Sequence, residues 1–208
     1  MNDVWAEVSA SRGELADVLE TLTPEEWDAQ TLCDQWKVRD VVGHVVLGAG
    51  KLGFGRVVSD LAKSGFKMNK MLARTGMEKG KEAPEDLLKQ LREQATTKYT
   101  PPMTKPMDML SDTVVHTQDI RRPLNRPKDI PQDRLRAVLD EMKNVGFMGN
   151  KKRIAGLKLT ATDMEWTHGE GAEVRGTGEA LLMAMCGRKA VIDELSGDGV
   201  EKFRSRMG

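Results

Sequence analysis

Apolar residues recur at helical spacing through the first part of the chain, and strand-like alternation appears only near its C-terminal end. Leucines and valines three and four residues apart predict amphipathic helices. The pattern predicts four main helices, over residues 4–22, 38–61, 84 onward and 107–122. Thr23 followed by Pro24 predicts the N-cap and first turn of a short additional helix. Four main helices are the number that forms a bundle.

The pattern changes after residue 127. Alternating apolar and polar residues over 157–166 predict a strand, and a glycine-containing turn then leads to residues 173–176 as the second strand of a hairpin. Further helices are predicted over residues 132–146, 179–186, 189–195 and 199–206. We therefore predict a mainly α fold, with a helical domain over residues 1–124 and a small α+β domain over residues 125–208.

Two histidines and an aspartate are the strongest indication of chemistry. Asp112 and His116 stand four residues apart in a predicted helix, so their side chains lie one turn apart on the same face. His44 lies in a second predicted helix. If the two helices pack together, these three side chains can converge on one divalent metal. Three protein ligands leave coordination positions open, as in a catalytic metal site.

Composition excludes several classes of function. Lys plus Arg and Asp plus Glu each number 32, so the formal net charge of +0 gives no basic field for nucleic acid. Charged residues interrupt the N-terminus, so a signal peptide is not expected, and no segment approaches the ~20 apolar residues that span a membrane. The chain has 2 cysteines, Cys33 and Cys186, which do not form a disulfide framework. We expect a cytoplasmic protein without nucleic acid or membrane partners.

Two segments form recognisable motifs: TLCDQWKVRDVVGHV at residues 31–45 and VHTQDIRRPL at residues 115–124. They resemble the N-terminal motif and the second motif of the mycothiol-dependent maleylpyruvate isomerase family. Shorter matches between residues 160 and 188, including Gly187-Arg188, resemble the small C-terminal domain of one branch. The resemblance covers most of the chain except about residues 63–105. The motifs are specific for the family but not for one reaction in it.

The resemblance implies a DinB-like four-helix bundle, a divalent metal that is usually zinc, and a low-molecular-weight thiol such as mycothiol. In the family, a histidine on the second helix and a carboxylate-x-x-x-His pair on the fourth hold the metal. These ligands map onto His44, Asp112 and His116. Asp112 is one methylene shorter than the glutamate often found there. Lys37 replaces a capping threonine, so Asp40 is expected to lack its reciprocal partner.

Other residues allow more than one interpretation. Asp119 lies one further turn along the Asp112–His116 face. It either orients a metal ligand from behind, or it faces solvent or packs between helices. Arg188 either binds a carboxylate of the thiol or substrate, as a catalytic residue, or is a surface cation. Cys33 is expected to be a buried structural residue. Trp36 and Trp166 are expected in the core, with a pocket wall as the alternative. His168 is expected in an exposed turn, with a role as a fourth ligand as the alternative.

The function predicted from these features is a metal-dependent enzyme that transfers a thiol to a small electrophile or uses it to assist isomerisation. The partners would be a small-molecule thiol and the electrophile, with the protein a monomer or homodimer. One alternative is a non-catalytic module that binds a metal or a small apolar ligand. Another is a non-haem iron enzyme, because two histidines and one carboxylate also form a facial triad.

Overall fold

A computed structural model describes residues 3–51, 53–127, 129–146 and 149–207. The chain divides into two compact units, with the boundary between Arg126 and Pro127. Within these described ranges, no helix is long and apolar enough to cross a membrane. Leu52, inside the helix predicted over residues 38–61, lies outside the described residues.

The N-terminal unit consists of helices joined by turns and irregular loops over its described residues. Its helices are α1 (Val4–Glu20), α2 (Pro24–Trp27), α3 (Val38–Ala49), α4 (Phe54–Lys63), α5 (Met68–Lys79), α6 (Pro84–Gln94) and α7 (Pro106–Arg121). Helices α1, α3, α6 and α7 form a bundle in which α1 and α3 each contact both α6 and α7. Leu15, Val45, Leu91 and Ile120, one from each helix, are buried in its core. The mainly α fold class is thus confirmed.

The single helix predicted over residues 38–61 is two helices, and that prediction was wrong. Helix α3 ends at Ala49, where Gly50 takes an extended conformation with φ −84° and ψ 150°, and α4 begins at Phe54. Glycines lower helix propensity by about 1 kcal/mol each relative to alanine, so this glycine-rich stretch favours an interruption. Residues 63–81, which gave no clear sequence signal, contain α5, and α5 packs closely on α3.

The start of α2 has the predicted cap. The Thr23 hydroxyl accepts from the Glu26 backbone N–H at 3.3 Å, and the Glu26 carboxylate accepts from the Thr23 N–H at 2.9 Å. At α3 only half of such a box exists: the Asp40 carboxylate accepts from the Lys37 N–H at 3.0 Å, but the lysine side chain offers no acceptor in return. The structure therefore confirms the expectation that Asp40 lacks a reciprocal side-chain partner at position 37.

Replacing Thr23 with alanine should lower the free energy of unfolding by about 1 kcal/mol, because an orphan N–H of the first helical turn loses its acceptor. Urea denaturation followed by circular dichroism measures the change. Thr21→Ala is the matched control, since the Thr21 hydroxyl only donates to the Val18 carbonyl in an exposed position. Equal stability of the two variants would contradict a stabilising cap at Thr23.

The C-terminal unit combines helices with a small sheet. Its elements are α8 (Gln132–Met142), α9 (Asn150–Ile154), β1 (Leu157–Ala161), β2 (Thr167–His168), β3 (Ala172–Gly176), α10 (Gly178–Met185), a 3₁₀ helix (Lys189–Glu194) and α11 (Val200–Arg204). Helix α10 contacts α8, β1 and β3, and the apolar side chains of Leu139, Leu159 and Leu181 are buried among these elements.

The predicted hairpin was only partly right. The strand predicted over residues 157–166 is shorter in the structure, where β1 ends at Ala161. Strand β1 pairs antiparallel with β2, and Leu159 lies opposite His168. Strand β3 lies on the other side of β1 and runs parallel to it, with Leu159 opposite Val174. His168 therefore lies in a strand, half-buried, rather than in an exposed turn. Alternation alone locates strands but does not specify which ones pair.

Candidate metal centre

The structure brings His44, Asp112 and His116 together inside the N-terminal unit. Helix α3 carries His44, the neighbouring helix α7 carries the other two, and the four-residue spacing places them one turn apart. The Asp112 Oδ1 atom lies 3.3 Å from His44 Nε2 and 3.5 Å from His116 Nε2. One donor atom from each side chain lies within 4.8 Å of the other two.

The three donors suit a small divalent cation. A tetrahedral ion with metal–ligand distances of about 2.0–2.2 Å places neighbouring donors about 3.3–3.6 Å apart. Both separations from Asp112 are of that size. Imidazole nitrogens and a carboxylate oxygen are ligands of zinc and of iron. The donor set therefore fits a divalent metal, although it does not distinguish between these ions.

The carboxylate is the most exposed member of the cluster. The histidine side chains are 13% and 10% exposed for His44 and His116, whereas that of Asp112 is 34% exposed. The histidines therefore form the interior wall of the site, and solvent reaches it beside the carboxylate. A site of this shape can accept an exogenous ligand.

The electrostatics of the cluster favour a positive charge. Burial by itself would raise the pKa of Asp112, but the charges of His44 and His116 and their hydrogen bonds lower it far below its usual range. Burial opposes charge on His116 as well, yet the Asp112 carboxylate and hydrogen bonds from its surroundings raise the pKa of His116 well above its ordinary value. Asp112 thus stays ionised and attracts a cation to this position.

Trp36 forms part of the wall behind the histidines. Its side chain is buried, as predicted for a core residue, and its ring centroid lies 5.0 Å from that of His44 and 5.6 Å from that of His116. The indole N–H points to the Ala73 carbonyl of α5 at 3.4 Å. Trp36 therefore combines the core position that was predicted with the pocket-wall position that was the alternative, because it packs directly against two predicted ligands.

A second group of side chains lies on the far side of His116. The Nδ1 atom of His116 lies 2.9 Å from Asp119 Oδ2, and the Cys33 thiol donates to the same oxygen over 3.1 Å. Asp119 is fully buried, and Cys33 is half-buried. Asp119 therefore packs inside the bundle in contact with a predicted ligand. Cys33 was expected to be buried, and the structure instead leaves it half-buried, with its thiol hydrogen-bonded to Asp119.

A buried arginine near the centre was also missed. Arg12 of α1 is 2% exposed, and its guanidinium donates to the carbonyls of Gln94 and Thr97 at 3.2 Å and 3.1 Å. Burial lowers the pKa of Arg12, while the negative charge of Asp112 acts in the opposite direction. Apolar periodicity gave no indication that α1 carries a buried charge, because an isolated arginine within an amphipathic helix is ordinarily assigned to the solvent face.

Arg188 lies in the C-terminal unit, just after α10. Gly187 takes φ 89°, a left-handed conformation that ends the helix, and the Arg188 backbone N–H donates to the Met183 carbonyl at 3.0 Å. The Arg188 side chain donates to the Cys186 carbonyl at 2.8 Å. This turn holds the arginine at a defined place in its own unit.

Comparisons with known proteins agree with the motifs. Residues 8–98 match the family model of the mycothiol maleylpyruvate isomerase N-terminal domain. Two solved structures have a similar fold: a mycothiol-dependent maleylpyruvate isomerase and a histidine-to-alanine mutant of such an enzyme. Each has a TM-score of 0.64 and 12% sequence identity, over 94% of this chain and 91% of the other. No curated protein sequence matches this chain.

The matched range includes His44 and Trp36 and ends before α7, and the structural similarity extends the common fold over most of the chain. At 12% identity, the solved structures establish the fold and leave the activity to be argued from the site. The resemblance seen in the motifs is confirmed: residues 8–98 of this chain match the model of the mycothiol maleylpyruvate isomerase N-terminal domain.

Proposed function

We propose that this protein is a metal-dependent enzyme that uses a low-molecular-weight thiol, mycothiol or a close relative, to transfer a thiol to a small electrophile or to assist its isomerisation. The observation that carries the proposal is the convergence of two imidazoles and one carboxylate at the partly open Asp112 side of a bundle. The match of residues 8–98 to a mycothiol isomerase domain supports the choice of thiol.

In this proposal His44, Asp112 and His116 hold the metal, and zinc is the ion we favour. When bound, a divalent metal supplies the charge that converts a coordinated thiol to thiolate at neutral pH. Trp36 fixes the two histidine rings from behind, and Asp112 leaves the open side to the incoming thiol. Thiolate is the nucleophilic form, so the site suits thiol transfer and thiol-assisted isomerisation.

Arg188 is proposed as the catalytic residue that binds a carboxylate of the thiol or of the substrate. A guanidinium forms charge-assisted, forked hydrogen bonds with carboxylates. Support comes from its place in a Gly-Arg turn, whose positive φ at Gly187 holds the arginine backbone in a fixed conformation. We further propose a cytoplasmic location, where both cysteines remain free thiols as they are in the structure.

The test is an assay of mycothiol and metal dependence. The purified protein, stripped with a chelator and reloaded with zinc, is incubated with mycothiol and maleylpyruvate, and substrate loss is followed by liquid chromatography. We expect turnover that needs both additions and falls by about 100-fold or more in Asp112→Asn, because removal of a ligand charge weakens metal binding. Asp108→Asn is the matched control: Asp108 lies one turn earlier on α7 and accepts from the Lys105 N–H.

Three results would overturn the proposal. Metal binding without any mycothiol-dependent conversion of maleylpyruvate or of a panel of other electrophiles would indicate a non-catalytic binding module. Iron in the purified protein together with oxygen consumption would indicate non-haem iron chemistry. Equal losses of activity in Asp112→Asn and Asp108→Asn would show that the carboxylate of the cluster has no special part in the reaction.

A further inference from the structure

The His116 ring is held from the side opposite Asp112. Its Nε2 atom lies 3.5 Å from Asp112, and its Nδ1 atom lies 2.9 Å from Asp119 Oδ2. Both partners belong to α7, four residues before and three residues after the histidine, so a single helix fixes both edges of the ring.

Asp119 is an unusual residue for this position. Its side chain is 0% exposed, and a carboxylate buried to that extent must be paired or hydrogen-bonded to be tolerated. Two groups meet one oxygen of Asp119: the His116 Nδ1 atom lies 2.9 Å away, and the Cys33 thiol donates over 3.1 Å. The arrangement orients a ring nitrogen as a donor, which an apolar side chain at the same place would not do.

The loop before α3 is attached to the same residue. The Leu32 backbone N–H donates to the Asp119 carbonyl oxygen at 3.1 Å, while the adjacent Cys33 donates to its carboxylate. The loop is closed on itself by the Thr31 hydroxyl, which donates to the Trp36 carbonyl at 2.7 Å. Both the loop thiol and the His116 ring are therefore positioned by Asp119.

From this geometry we infer that Asp119 is a positioning residue for the metal centre, with the Cys33 thiol as its second donor. By accepting from Nδ1–H, Asp119 selects the neutral tautomer of His116 whose Nε2 lone pair points towards Asp112 and His44. A negative partner at Nδ1 also makes Nε2 a stronger ligand. The inference rests on the proposed function for the identity of the site, and it adds two residues on which metal affinity depends.

The first experiment observes the tautomer directly and needs no metal. Two-bond ¹H–¹⁵N correlation spectra of histidine-labelled protein, recorded at a pH at which the ring is neutral, distinguish the Nδ1–H from the Nε2–H tautomer. We expect His116 to be the Nδ1–H tautomer in the wild type and to lose that preference in Asp119→Ala. A wild-type His116 in the Nε2–H form would overturn the inference.

The second experiment measures zinc affinity by competition with a chromogenic chelator. We expect Asp119→Ala to weaken zinc binding about 10–100-fold, the range found when a partner behind a ligating histidine is removed. Asp119→Asn should lose less, because the amide oxygen can still accept from Nδ1–H although the charge is gone. Unchanged zinc affinity in Asp119→Ala would overturn the inference.

The thiol is tested separately. Cys33→Ala should weaken zinc binding by a smaller factor than Asp119→Ala, and Cys33→Ser should restore it, since a hydroxyl also donates to the carboxylate. In the double variant the two effects should be less than additive, because Cys33 acts through Asp119. Cys186→Ala, in the C-terminal unit, is the matched cysteine control. A larger loss in Cys33→Ala than in Asp119→Ala would contradict this order.

Thr113→Ala is the control that distinguishes a purely structural role of Asp119 from a role in positioning His116. Thr113 is a buried polar residue of the same helix, and its hydroxyl donates to the Met109 carbonyl at 2.9 Å. The Thr113→Ala variant should be less stable than the wild type but bind zinc with the same affinity. If wild-type protein binds no zinc while the His116 tautomer still depends on Asp119, the proposed function fails and the positioning stands. If zinc binds and the His116 tautomer is the same in the wild type and in Asp119→Ala, the positioning role fails and the proposed function stands.

Discussion

Replacing His116 with alanine should abolish metal binding by the isolated protein. The wild type is expected to carry about one divalent ion per chain, and the variant close to none, because two remaining ligands do not hold a divalent metal against dialysis. Elemental mass spectrometry on protein prepared without chelators measures both. The expected effect is large because His116 supplies one of three donors and is only 10% exposed, so water does not replace its imidazole easily.

His168→Ala is the matched control for this prediction. The chain has 3 histidines, and His168 is the one outside the cluster, in strand β2 of the C-terminal unit. Its removal should leave the metal content unchanged. Absence of metal from the wild type, even after incubation with zinc, would remove the basis of the proposed enzyme. Equal metal loss in both variants would show that the ion binds elsewhere or is lost through misfolding.

The part of the site that depends on one helix was predictable from the sequence. Asp112 and His116 stand four residues apart, and helix geometry alone places them on one face. The approach of His44 depends on which helices pack together, and periodicity does not contain that information. It followed from the resemblance, and the structure brings the three side chains together. Their role as metal ligands stays a prediction.

The surroundings of the site were harder to predict. Cys33 and Trp36 lie in an irregular loop, where no periodicity indicates the direction of a side chain. Their contacts with Asp119 and with the histidine rings arise from the loop hydrogen bonds at Thr31 and Leu32, which are not evident before the fold is known. The i, i+3 spacing of His116 and Asp119 was the one local signal, and it left a packing role open.

The fold shows the same division between local and long-range information. Helix starts with a threonine cap or an early proline, as at α2, α6 and α7, agree with the structure within a residue or two. The interruption between α3 and α4 and the parallel pairing of β1 with β3 were not predicted. The strand pairing depends on contacts between residues distant in sequence, which a single sequence does not show. The interruption lies in a glycine-rich stretch, whose low helix propensity weakens a helix without fixing the residue at which it ends.

The contact between α3 and α5 leads to the second large prediction. A Cβ atom added at Gly43 would lie 2.7 Å from both the Gly76 carbonyl oxygen and the Gly80 backbone nitrogen. These are backbone atoms, so neither can rotate away, and the two helices would have to separate. Gly43→Ala should therefore lower the free energy of unfolding by about 1–3 kcal/mol, the usual cost of overpacking.

Gly48→Ala is the matched control on the same helix. A Cβ atom there meets nothing within 4 Å, so the change should be stabilising by about 0.5–1 kcal/mol through helix propensity alone. The two variants have the same chemistry and opposite expected signs. Urea denaturation of metal-free protein, followed by tryptophan fluorescence, measures the midpoints. A Gly43→Ala midpoint at or above that of the wild type would show that α5 does not pack on α3 as described.

Gly43 also precedes His44, which links this packing contact to the metal centre. A Cβ atom at Gly76 would lie 3.3 Å from the His44 Cβ, so α5 closely supports the backbone that carries this ligand. If α3 shifts to accommodate an alanine at position 43, His44 must move relative to Asp112 and His116. We therefore expect Gly43→Ala to weaken zinc binding as well as stability. Gly48→Ala should alter zinc affinity little, and a loss of stability in Gly43→Ala with full zinc affinity would mean that the helices separate without moving His44.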